Sequence, residues 1–149
     1  MKRIISLTIV IILAVGSLSA QETNKEEIAI KEVIQSAYVD GLQNKGNTSD
    51  IENGFHSGFN LLGVNHNMLT KFPIYSWIQS FESRKAKDPT PPTEEQLISC
   101  KYLLIDVTGN AAMAKIELNR NNELLFTDYL QLYKFEEGWK IVSKIYYRH

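Results

Sequence analysis

Asp128 is the carboxylate whose surroundings most suggest chemistry. It lies in the run Leu125-Phe126-Thr127-Asp128-Tyr129-Leu130-Gln131-Leu132-Tyr133. Strand alternation puts Phe126, Asp128, Leu130 and Leu132 on one face, with Leu125, Thr127, Tyr129, Gln131, Tyr133 and Phe135 on the other. A carboxylate among three apolar neighbours is held in low dielectric if that face is interior, where it serves as a base or as a hydrogen-bonding anchor for a ligand. The competing reading is a structural one, in which Asp128 pairs with a Lys, a Tyr or a backbone N–H. His56 follows Phe55 at the exit of a short helix and offers an acid, a base or a ligand donor, or else a helix-end contact. His66 falls in a turn and His149 at the C-terminal end, both expected in water.

The chemistry that these residues leave out is equally informative. No His-x-x-x-His, Glu-x-x-His or His-x-His spacing occurs, so no metal site is expected. Phosphate-loop, dinucleotide and serine-hydrolase glycine patterns are missing from the sequence, and no cofactor is called for. Cys100 is the single cysteine and cannot form an intrachain disulfide. Sixteen Lys and Arg balance seventeen Asp and Glu, without the basic excess that binding to a phosphate backbone draws on, so nucleic acid is excluded as a partner. At 149 residues and 44% hydrophobic, the chain has the length for one globular domain with room for a single ligand cavity.

These side chains must be positioned by elements that the sequence also marks. Thr23-Asn24-Lys25-Glu26 reads as a capping box opening a long helix. Ile30, Val33, Ile34, Ala37, Tyr38, Gly41 and Leu42 recur at helical spacing, and Gly46 stops it. Asn47-Thr48 is helix-entry chemistry, and Ser49-Asp50-Ile51-Glu52 repeats the capping pattern for a short helix ending near Gly54. Phe59, Leu61 and Gly63 alternate toward the turn at Asn65-His66-Asn67, which makes a hairpin with Met68 to Lys71. Pro73 opens a third helix carrying Ile74, Trp77, Ile78 and Phe81 on one face, and the proline-rich stretch 87–93 is an exposed crossover. Turn sequences at Thr108-Gly109-Asn110, Asn121-Asn122 and Glu137-Gly138 then divide the remainder into an antiparallel meander over 97–107, 111–119, 123–135 and 139–147. In the last strand, alternation groups Trp139, Ile141, Ser143, Ile145 and Tyr147 as the expected inner face, and leaves Lys140, Val142, Lys144, Tyr146 and Arg148 outside. Helices first and strands last predict an α+β fold.

The first twenty residues read differently. Lys2 and Arg3, the apolar run from Ile4 to Val15 and the small residues ending at Ala20 have the order of a secretory signal peptide, with cleavage expected after Ala20. The alternative is a retained membrane anchor. Cleavage leaves residues 21–149 as a single exported domain, periplasmic or secreted, without a stable membrane anchor and with fourteen basic against seventeen acidic residues.

The order of elements resembles the cone-shaped, cystatin-like fold of the nuclear transport factor 2-like superfamily over about residues 25–149. Asn53-Gly54-Phe55-His56-Ser57-Gly58-Phe59, together with Thr127-Asp128-Tyr129 running into Gly138-Trp139-Lys140-Ile141-Val142, is similar to its putative lumazine-binding family. The resemblance implies a curved antiparallel sheet wrapped over three N-terminal helices, with a central pocket inside the cone. It also implies a homodimer joined through the outer sheet face, here presenting Tyr129, Gln131 and Tyr133. Superfamily members include binding proteins, isomerases, cyclases and dehydratases, so the fold alone does not choose a function.

Three functions follow from these readings. The first is an exported small-molecule-binding protein whose pocket is walled by Tyr38, Phe59, Trp77 and Trp139, with Asp128 and His56 orienting a planar heteroaromatic ligand. The same aromatic positions also read as plain core. The second is a cofactor-free isomerase, cyclase or dehydratase in which Asp128 or His56 moves a proton. Ser143 and Ile145, at inner positions where enzymatic relatives carry polar groups, argue against it. The third is an interaction module that uses the outer sheet face.

Overall fold

The computed structural model describes residues 23–149, so the expected signal peptide and its cleavage point lie outside the described residues. Three helices precede most of a six-stranded sheet, as the α+β reading requires. The first helix, α1, is α-helical over 23–33 and continues as a π-helix over Ile34–Gln43. In a π-helix each N–H reaches back five residues instead of four, which widens the turn. The bond from Asn44 N–H to the Val39 carbonyl, 3.0 Å, continues that spacing at the helix end. One consequence is that Ala37, Tyr38 and Val39, three successive residues, are all buried.

Helix α2 spans Thr48–Gly54 with Asn47 as its N-cap and no side-chain cap bond there, so it starts two residues before the cap expected at Ser49 and the expected capping box is not formed. A methyl group at Gly54 would overlap the Ala37 side chain, and this close approach is what lets α2 lie against α1. Strands β1 (Phe55–Asn65) and β2 (Met68–Pro73) form the expected hairpin, turned by His66 and Asn67 at positive φ. Helix α3 runs over Ile74–Lys87, with Ile74 and Phe81 buried and Arg84, Lys85 and Lys87 in its last turn. A short 3-10 turn at Glu94–Gln96 then leads into the meander β3 (Ser99–Thr108), β4 (Ala111–Arg120), β5 (Glu123–Phe135) and β6 (Gly138–Arg148).

The sheet order is β2-β1-β6-β5-β4-β3. Four neighbouring pairs are antiparallel, whereas β1 and β6 run parallel, so the sheet is mixed at the join between hairpin and meander. Its inner face contributes Ala114, Ile116, Leu118, Leu130, Leu132, Trp139 and Ile141 to a core completed by Ile30, Ile34, Tyr38 and Leu42 of α1 and Ile51 of α2. The register shifts at Tyr102/Leu104 against β4, at Leu118/Asn119 against β5 and at Gln131/Leu132 against β6. Each shift marks a bulge, the device that bends and twists a strand and lets a sheet curve.

Candidate functional site

The third of those bulges determines the site. Leu132 pairs with Ile141 and Gln131 pairs with Ser143, which leaves Val142 as an extra residue on β6. A single inserted residue reverses the facing of everything after it. Trp139 and Ile141 therefore point inward as expected, but beyond Val142 it is Lys144 that is buried while Ile145 is 52% exposed. The sequence reading of this strand, which put Ser143, Ile145 and Tyr147 inside and Lys144 outside, is corrected for this reason.

On β5 the alternation holds, and Asp128, Leu130 and Leu132 are buried. The bulge thus brings a lysine from β6 onto the aspartate of β5. Lys144 Nζ lies 2.8 Å from Asp128 Oδ2, and the Tyr38 hydroxyl donates to the same oxygen at 2.6 Å. Lys144 also donates to the Tyr38 oxygen at 2.5 Å, closing a three-membered network. All three side chains are almost wholly withdrawn from water. Burial holds the Tyr38 hydroxyl well above its ordinary 10, reinforced by the neighbouring Asp128 charge, so it stays protonated and donates. Burial pulls the Lys144 ammonium below its ordinary 10.5, opposed by the Asp128 carboxylate.

Asp128 Oδ2 accepts two bonds, while Oδ1, equally buried, has no hydrogen-bond partner. An unsatisfied buried acceptor costs roughly 1–3 kcal/mol, more for a charged group, so it calls for an explanation such as strain, a catalytic role or a bound water or ion. Aromatic rings surround the pair. Lys144 Nζ stands 4.9 Å from the Tyr38 ring centroid, 5.0 Å from that of Tyr146 and 5.7 Å from that of Trp77. Trp77 in turn meets Phe59 at 6.2 Å and Phe72 at 6.5 Å. Tyr146 is 42% exposed and Phe72 is also on the surface, so this aromatic cluster reaches solvent near Lys144.

Of the six residues expected to form one ligand site, Tyr38, Phe59, Trp77 and Asp128 are therefore gathered by the fold. The other two are elsewhere. His56 stacks on Phe135, with ring centroids 4.8 Å apart and planes at 10°, and its Nδ1 accepts from the Gly58 N–H at 3.0 Å. Phe135 is seven residues along β5 from Asp128, about 23 Å at strand rise, so His56 and Asp128 do not orient one ligand together. Trp139 lies toward the same far end, where its indole N–H donates to Glu26 at 2.7 Å; Glu26 also takes Lys134 at 2.8 Å. These bonds hold the Glu26 carboxyl below its usual range. Glu26 thus ties α1 to the sheet. The expected outer residues Tyr129, Gln131 and Tyr133 are exposed.

Sequence reasoning missed Lys144 and Tyr146. The available signal was the adjacent apolar pair Ile141-Val142, which a strict inside-outside alternation does not need, and the requirement of a buried carboxylate for a cation on a neighbouring strand. Among the described residues no group of three or more His, Cys, Asp or Glu is arranged to hold a metal ion, and no helix is long and apolar enough to cross a membrane. Cys100 is half-buried and its thiol is pushed up to about 11 by burial, which leaves it a poor nucleophile.

The family model described as putative lumazine-binding matches residues 25–147. The chain belongs to this family. Among solved structures, this lumazine-binding family member is similar to an NTF2-like protein of unknown function from Shewanella baltica OS155. The two share 31% identity over 84% of this chain and 94% of the other, at a TM-score of 0.65. NTF2-like proteins of unknown function from Silicibacter pomeroyi DSS-3 and Methylobacillus flagellatus KT share the fold, at 21% and 23% identity. They cover 85% and 84% of this chain, 98% and 93% of their own, with TM-scores of 0.66 and 0.63. No curated protein matches the chain.

Proposed function

We propose that this protein is an exported small-molecule-binding protein, and that its ligand engages Asp128 and Lys144 beneath the rings of Trp77, Phe72 and Tyr146. The carrying observation is the buried Oδ1 of Asp128, which has no hydrogen-bond partner although Oδ2 has two. A binding site needs only a few convergent polar groups among apolar and aromatic walls, and this cluster has both. The family description supports a planar heteroaromatic ligand. Trp77 and Trp139 are the only tryptophans, and Trp77 alone belongs to the cluster, so fluorescence gives a direct test. Titration of the protein starting at Gln21 with lumazine should quench tryptophan emission saturably, and Trp77→Phe should remove most of the change. Emission that stays flat to millimolar ligand, with no heat of binding, would refute the reading.

One observation favours an enzyme of the isomerase, cyclase or dehydratase kind. The Tyr38 hydroxyl and the Lys144 ammonium both face the Asp128 carboxylate at hydrogen-bond distance, so a proton can be passed among three groups sheltered from water. Once a ligand is known, Asp128→Asn separates the readings. Turnover lost with affinity kept favours catalysis, whereas a parent without turnover whose affinity falls in the variant favours binding. The export reading rests on residues 1–20; protein from the native host should begin at Gln21, and intact Met1 in the cytosol would overturn it.

A further inference from the structure

We infer that the Asp128–Lys144 pair recognises a lactam edge, the adjacent C=O and N–H of a neutral planar ring. This inference rests on the binding reading above and specifies what that site reads. An ammonium carries three N–H donors. Two of those on Lys144 are committed, to the Tyr38 oxygen and to Asp128 Oδ2. Asp128 Oδ2 is likewise committed twice, and the single Tyr38 proton is spent on it. What remains is one N–H donor on Lys144 and one acceptor, Asp128 Oδ1, on two groups already joined by a 2.8 Å bond. A ring carbonyl beside a ring N–H is the complement of that pair.

Charge and shape narrow the class further. The two charges cancel, so a charged ligand would enter a desolvated place with no counter-charge left for it, whereas a neutral lactam brings only dipoles that the pair can satisfy. The rings of Tyr38, Trp77 and Tyr146 stand about the ammonium, so the surroundings that a ligand would meet there are aromatic. Tyr146, whose ring centroid is 5.0 Å from the ammonium, and Phe72, packed on Trp77, are both partly exposed, so a ligand would approach from their side.

The experiment compares two probes that share ring and carbonyls but differ in the N–H: lumazine and 1,3-dimethyllumazine, titrated calorimetrically into the protein starting at Gln21, at a pH where both rings are neutral. Lumazine should bind at least about tenfold more tightly, the loss expected when a buried acceptor is left unmet. In Lys144→Met combined with Asp128→Leu, checked for a cooperative melt, neither the acceptor nor the donor remains and the two probes should bind alike. Equal affinity for both probes in the parent would overturn lactam recognition while leaving an aromatic binding site standing. Binding of neither probe would overturn both readings. A preference for lumazine that survives in the folded double variant would also overturn the assignment to this pair. Should the double variant not fold, the probe comparison on the parent still decides.

Discussion

A buried ion pair is a poor stabiliser, because the desolvation of two charges offsets their attraction, yet removing one partner strands the other. Lys144→Met should therefore cost about 3–5 kcal/mol in urea unfolding, while Lys144→Met combined with Asp128→Leu should recover most of it. Recovery would show that the pair is not there for stability; a double variant as weak as the single one would contradict that. Tyr38 supplies a second test, since its pKa is raised by burial and by Asp128. A raised folded pKa gives stability that is complete below the unfolded value and lost as pH climbs above it. The advantage of the parent over Tyr38→Phe, about 1.5–3 kcal/mol at neutral pH for a bond to a charged acceptor, should shrink above pH 10. Urea midpoints at pH 7 and above pH 10 measure it, and a constant gap would contradict the assignment. Asp128, Tyr38 and Trp77 were legible in sequence because a polar group on an apolar face and aromatics at helical spacing are local patterns. Lys144 was not, since its facing depends on a pairing partner across the sheet.

That dependence belongs to the elements. Turns were legible because positive φ selects particular residues, and Gly109, Asn121, Asn122 and Gly138 all adopt it where the sequence marked turns. Bulges and the π-helical turn leave no such mark, because inserting one residue into a ladder changes facing without changing composition. The bulge at Val142 makes a sharp prediction. Deleting Val142 joins Ile141 directly to Ser143, the residues paired with Leu132 and Gln131, so the ladder becomes continuous and Lys144 still points inward. Inserting an alanine between Ser143 and Lys144 instead turns Lys144 outward and strands Asp128. The deletion should keep a cooperative melt, losing only what the local twist contributed, whereas the insertion should cost at least the roughly 3 kcal/mol of an unpaired buried charge. Thermal melts of both proteins decide, and an insertion tolerated as well as the deletion would defeat the account.

The same bulge shapes the molecule's exterior. By sending Lys144 inside, it sends Ile145 and Tyr147 out, onto the face that already carries Tyr129, Gln131 and Tyr133. Register places Leu104, Lys115, Tyr129 and Ile145 in one row across four strands, with the Lys115 ammonium 5.5 Å from the Tyr129 ring centroid. Beside this row a depression of about 380 Å³ is lined by Asp106, Met113, Gln131 and Tyr133. Leu104, Tyr129 and Ile145, with Lys115 between the first two and over the Tyr129 ring, offer an apolar and aromatic surface of the kind that interfaces bury. Two copies meeting face to face about a two-fold axis would cover both rows and leave no open end for further growth. Sedimentation of the protein starting at Gln21 at micromolar concentration should show a dimer. Tyr129→Lys combined with Ile145→Lys places four like charges at the centre of the contact, and should give a monomer with an unchanged circular dichroism spectrum. A parent that sediments as a monomer, or a folded double variant that remains dimeric, would remove this face as the site of pairing.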